Sequence, residues 1–146
     1  MRYHLKFLRI KPFVKQRTAK LIKDWGYIPE YRQWASLRAW MILVCFDPRG
    51  YAMQIPDLVV DEKAGCGYYI PASNEIHMAY PSIITLLHEF RHAMQAQGLA
   101  GRYRDAEDDA RGWSLSLYNS VAPRTLRRLV NEGKVLHLSP ADFEAT

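Results

Sequence analysis

His88-Glu89-Phe90-Arg91-His92 places two imidazoles and a carboxylate within five positions, in the order H-E-x-x-H. On a helix, residues four apart lie one turn apart on the same face. Both rings can then reach a single zinc ion. The carboxylate that follows the first histidine stands beside the open coordination position, where it can take a proton from an activated water. Neutral imidazoles suit a borderline-soft cation, and the adjacent Glu89 supplies a base.

The chemistry requires a helix, and the flanking residues predict one. Pro81 suits a first helical position and Gly98 a C-terminal stop. Between them Ile83, Leu86, Leu87, Phe90 and Met94 recur at core-facing spacing. Thr85, His88, His92 and Gln95 form a separate polar stripe. The two histidines therefore lie off the apolar face, on a polar strip of an otherwise buried element.

The surrounding chain reads as a mixture of helices and short strands. Residues 3 to 7 alternate like an edge strand or a basic arm. Val14 to Trp25 is helical with Gly26 as its stop, and Pro29 opens a second helix through Trp34, Leu37, Met41 and Val44. Met41 to Phe46 is equally compatible with a strand, which periodicity alone does not separate. After the turn Asp47-Pro48-Arg49-Gly50, strands are expected at Tyr51–Ile55, Leu58–Val60, Gly67–Ile70 and Glu75–Tyr80. The last two form a hairpin across Ala72-Ser73-Asn74. His77 on that hairpin is a further imidazole, read as structural. Asp105 caps a later helix with its stripe at Ala106, Ala110, Trp113 and Leu117. Pro123 begins a final helix that buries Leu126, Leu129 and Val130, turns Arg124, Arg127 and Arg128 outward, and stops at Gly133. The expectation is one α+β domain over residues 1–146, with the chemistry in 65–120.

Hydrophobic residues make up 49% of the 146, enough for one modest core. No apolar run is long enough to span a bilayer. No apolar stretch follows the basic N-terminus, so no secretory leader is expected. Cys45 and Cys66 are not in C-x-x-C spacing and read as free thiols in a reducing compartment, which makes the cytoplasm the expected location. The charge is uneven. The first 23 residues carry eight Lys/Arg and no acid, whereas the remaining 12 basic residues face 15 acids. The basic segment, interleaved with Tyr3, Phe7, Phe13 and Trp25, suggests a weak accessory contact with nucleic acid.

A catalytic zinc generally takes three protein ligands, so one remains to be found. The acids Asp105, Glu107, Asp108 and Asp109 form the dense cluster downstream. Acids in a first helical turn favour the macrodipole without any metal, but four in five residues exceeds what capping needs. Here the residues resemble a family. His88-Glu89-x-x-His92 followed by Glu107-x-x-Ala110-x-x-Trp113 is similar to the short zincins of the ImmA/IrrE type, whose third ligand is a glutamate. The likeness runs from Gly65 to Trp113. It implies a small zincin-like fold, an active-site helix packed on a short sheet, a Zn2+ cofactor held by His88, His92 and Glu107, and Glu89 as general base. Glu107 is preferred over Asp109 and Asp105. Asp105 is suited to the cap, Glu107 lies beside the apolar stripe, and Asp109 falls toward solvent in that register.

The resemblance implies a hydrolase, a zinc metallopeptidase acting on a protein or peptide. The oxyanion donor stays open among Tyr80, Tyr103, Tyr118 and Arg111, and the strand Glu75–Tyr80 is a candidate to hold an extended substrate by strand addition. Two rivals stand beside it. One is a nucleic-acid-associated protein using the basic segment. The other is a zincin-like metal-binding regulator without catalysis, against which Glu89 argues, since a structural site has no use for a base.

Overall fold

A computed structural model describes residues 9–135. The expected strand or arm at residues 3 to 7 lies outside them, as do Tyr3 and Phe7. The elements run α1 (Pro12–Trp25), α2 (Glu30–Phe46), β1 (Asp57–Val60), β2 (Tyr68–Ile70), β3 (Glu75–Met78), α3 (Ile83–Ala96), α4 (Ala106–Val121) and α5 (Pro123–Asn131). The class is α+β.

The sheet has the order β1-β3-β2. β2 and β3 form the expected antiparallel hairpin, with Tyr69 opposite Ile76, whereas β1 joins β3 in parallel, with Leu58 opposite Ile76. Alternation along β3 buries Ile76 and Met78 and leaves Glu75 and His77 on the other face. Because β3 is central, both its edges are already hydrogen-bonded. This corrects the expectation that it accepts a substrate strand, since strand addition needs unpaired N–H and C=O groups.

Three further expectations change. Met41 to Phe46 is helical throughout, as the last turns of α2. Tyr51–Ile55 is not a strand. Ala52 sits at φ 48°, in the left-handed region that interrupts an extended run, and the Gln97 side chain brackets Gln54, accepting from its N–H at 2.9 Å and donating to its C=O at 2.9 Å. Strand-like composition here is overridden by side-chain pairing to α3. Pro81 precedes α3 rather than opening it. Ser82 is the N-cap and accepts from the Thr85 N–H.

One apolar cluster joins all the helices and the sheet, and Phe90 of α3 is fully buried within it. The Phe90 ring meets Trp40 edge-on at 5.0 Å and stacks near Trp113 at 6.2 Å. The expected stripe Ile83, Leu86, Leu87, Phe90 and Met94 is buried along its whole length. α3 ends as foreseen at Gly98, whose φ of 75° lets Leu99 N–H reach the Met94 carbonyl at 2.8 Å. In α1 the aromatics offered for nucleic-acid contact are used otherwise: Phe13 is buried beneath Arg49, and Trp25 packs on the core. Among the described residues no helix is long and apolar enough to cross a membrane. Cys45 is buried, Cys66 exposed, and both are free.

Candidate metal centre

α3 and α4 pack along one another, and the polar stripe of α3 opens into their seam. The Asp105 carboxylate accepts from the Asp108 N–H at 2.9 Å and starts α4 where the sequence places it. The first turn of α4 thereby carries Glu107 to the polar face of α3. His88 Nε2 lies 3.1 Å from one Glu107 oxygen, and His92 Nε2 lies 2.7 Å from the other. The two rings are 5.0 Å apart and near perpendicular. One atom from each of His88, His92 and Glu107 falls within a common 4.8 Å, so the three form a group able to hold a metal ion.

The donor set fits such an ion. Two imidazole nitrogens and one carboxylate, all pointing to a shared volume, make the three-ligand pattern that leaves a fourth position open. Electrostatics point the same way. Burial holds the His88 imidazole below its usual value, against the pull of Glu107, which favours the neutral, ligating form. Burial pushes the Glu107 carboxyl up, but His88 and His92 together outweigh it and hold Glu107 below the usual carboxylate range. Glu107 is therefore anionic, as a ligand must be.

Glu89 is only 6% exposed. Burial raises its carboxyl from 4.5 to about 7, with His92 opposing and Glu107 reinforcing the shift. A carboxylate poised near neutrality beside two imidazoles is the condition a general base needs.

The other expected residues separate cleanly. Asp105 is the cap. Asp109 does not face solvent. Its side chain is 10% exposed, and it grips the Arg91 guanidinium through Nε at 2.8 Å and Nη2 at 3.1 Å. This corrects the expected solvent-facing Asp109: the buried Arg91 of α3 pairs with it on the inner side of α4, and it is Ala106 that is exposed. Arg91, which stands at an unassigned position of H-E-x-x-H, is thus a residue to which the sequence reading gave no role. Its signal was a long cation on a helix whose neighbours at Leu87 and Met94 are core. His77 stands apart from the metal group, with both ring nitrogens already engaged: Nδ1 meets Asp61 at 3.1 Å and Nε2 meets Glu75 at 3.1 Å. Among the oxyanion candidates, Tyr118 is in the core, and burial lifts its hydroxyl to about 12. Tyr80 and Tyr103 are exposed. Arg111 lies 3.7 Å from Glu107.

The chain matches no protein-family model, no curated protein and no solved structure.

Proposed function

We propose that this protein is a zinc-dependent peptidase of zincin-like design, with His88, His92 and Glu107 as metal ligands and Glu89 as general base. The observation that carries the reading is the convergence of two imidazole Nε2 atoms on the single Glu107 carboxylate, 3.1 and 2.7 Å away, with buried Glu89 beside them. Bound there, zinc supplies a Lewis acid that polarises the substrate carbonyl and acidifies the attacking water. Glu89 takes the proton from that water as its oxygen bonds to the carbonyl carbon. The same carboxyl then delivers the proton to the amine nitrogen as the C–N bond breaks. Its lift to about 7 suits both halves of this cycle. An extended peptide is better matched to β2 than to β3, because β2 is hydrogen-bonded on one side only among the described residues.

Glu89→Gln tests the reading. Gln keeps the shape and cannot accept the proton. Casein or a peptide library cleaved by the wild type should be turned over slower by roughly 100-fold or more, the size of a lost general base, with zinc content unchanged. Near-normal turnover by this variant contradicts the assignment. A regulator without catalysis is disfavoured by the same buried carboxyl, which costs folding energy that a purely structural site would have no reason to carry.

A further inference from the structure

The ligands are held unequally. Among the described residues, His88 Nδ1 has no hydrogen-bond partner, whereas His92 Nδ1 lies 2.8 Å from Gln95 Oε1. Gln95 Nε2 donates to the Ala106 carbonyl at 2.9 Å and to Asp109 Oδ2 at 2.9 Å. Asp109 in turn accepts two bonds from Arg91, which also donates to the Ala100 carbonyl at 3.2 Å and lies over the Trp113 ring.

The direction of these bonds follows from chemistry alone. Arg91 has donors only and bonds to both Asp109 oxygens, so that carboxylate accepts. A backbone carbonyl also only accepts. Both partners on one side of the Gln95 amide are therefore acceptors, and the NH2 must face them. Its oxygen must then face His92. An oxygen facing Nδ1 requires the proton on Nδ1, which leaves the Nε2 lone pair free. That lone pair points at a Glu107 oxygen 2.7 Å away. Two lone pairs that close require a cation at the seam, either a proton or a metal.

We propose that Gln95 is a positioning residue: backed by Asp109 and Arg91, it keeps the proton of His92 on Nδ1 and so presents the Nε2 lone pair toward Glu107, where a metal ion would be held. The relay also ties α3 to the first turn of α4, the segment that carries Glu107. Outer partners of this kind orient ligands and raise their affinity. The inference deepens the metal reading and rests on it, but its first test needs no metal.

Whether His92 Nδ1 carries a proton is read in the metal-free chain by long-range 1H–15N correlation of the imidazoles. In the wild type Nδ1 should carry a proton held by Gln95, with the proton that the seam then requires lying between Nε2 and Glu107. Gln95→Met keeps the length and removes the acceptor; His92 should shift to Nε2–H, its N–H now turned to Glu107, and zinc affinity should fall roughly 10- to 100-fold. Gln95→Glu separates positioning from mere packing. It still accepts from Nδ1 but loses its bonds to Asp109 and Ala106, so it should melt lower while keeping the Nδ1–H tautomer and recovering most of the affinity. An Nδ1–H tautomer retained in Gln95→Met overturns the proposal. So does a Gln95→Glu variant that binds zinc as poorly as Gln95→Met. A wild type that binds no zinc sinks the metal reading instead, and the tautomer still decides the relay.

Discussion

Among the described residues two histidine-carboxylate clusters are built on opposite plans. Around His77 the carboxylates diverge: Asp61 takes one ring nitrogen and Glu75 the other, while the Tyr68 ring stacks on the imidazole at 4.8 Å and its hydroxyl donates to Asp61. Glu75 foremost, and Asp61 with it, raises the His77 pKa. The result is an imidazole clamped between two carboxylates that favour its protonated form, linking β3 to the residue after β1. Around Glu107 the geometry converges, since one carboxylate serves two ring nitrogens, and burial favours neutral imidazole at His88. Similar residue types give a salt bridge in one place and a group able to hold a metal ion in the other. What differs is whether lone pairs are consumed singly or aimed at a common point.

The largest effect should come from removing the convergent carboxylate. Glu107→Ala is expected to weaken zinc binding by more than roughly 100-fold, beyond what outer-sphere partners contribute, whereas Glu75→Ala should leave it unchanged. Isothermal titration of both variants measures this. Equal losses would abolish the distinction between the two clusters.

Next is the buried pair beneath the site. Asp109→Ala strands Arg91, whose side chain is 9% exposed. Breaking one partner of a buried ion pair costs about 3–5 kcal/mol, which urea denaturation will report. A loss below about 1 kcal/mol would mean that α3 and α4 are held together by their apolar contacts alone.

Glu89 gives a pH signature. Its carboxyl loses its proton near 4.5 when unfolded and near 7 when folded. Folding therefore takes up a proton between these values, and stability falls as pH rises from 4.5 through about 7. In the metal-free chain Glu89→Gln avoids this cost. It should exceed the wild type in stability by about 1–3 kcal/mol above neutrality and match it at pH 4. A pH-independent difference would show that Glu89 is not ionising in a buried site.

The smallest effect belongs to His77, with the opposite sign of histidine chemistry. Its folded pKa lies above 6.5, so its contribution is complete below 6.5 and fades as pH climbs through the folded value. His77→Gln should therefore be less stable than the wild type at pH 6, with the gap closing toward alkaline pH. A gap that widens instead would mean the ring is neutral in its clamp.

What was legible in the sequence is local. The i, i+4 histidines, their separation from the stripe of Ile83 to Met94, the Asp105 cap and the Gly98 stop each depend on residues within a turn or two of themselves. Glu107 was reachable because its first-turn position follows from that cap. The parts that escaped depend on distant partners. Nothing near Tyr51 announces that Ala52 adopts φ 48° or that Gln97 claims Gln54. Nothing in β3 reveals that β1 joins it in parallel and closes its free edge. Asp109 and Glu107 are two residues apart in one acidic run, and only the arrival of Arg91 from another helix turns the first into a buried anchor.

The central claim is that His88, His92 and Glu107, and not the His77 cluster, make a metal centre. Native mass spectrometry of metal-stripped chains resupplied with zinc tests it most directly. One zinc per chain is expected for the wild type and for His77→Ala, and none for the His88→Ala/His92→Ala double variant. Full zinc occupancy in the double variant, or loss of zinc from His77→Ala, would contradict the account.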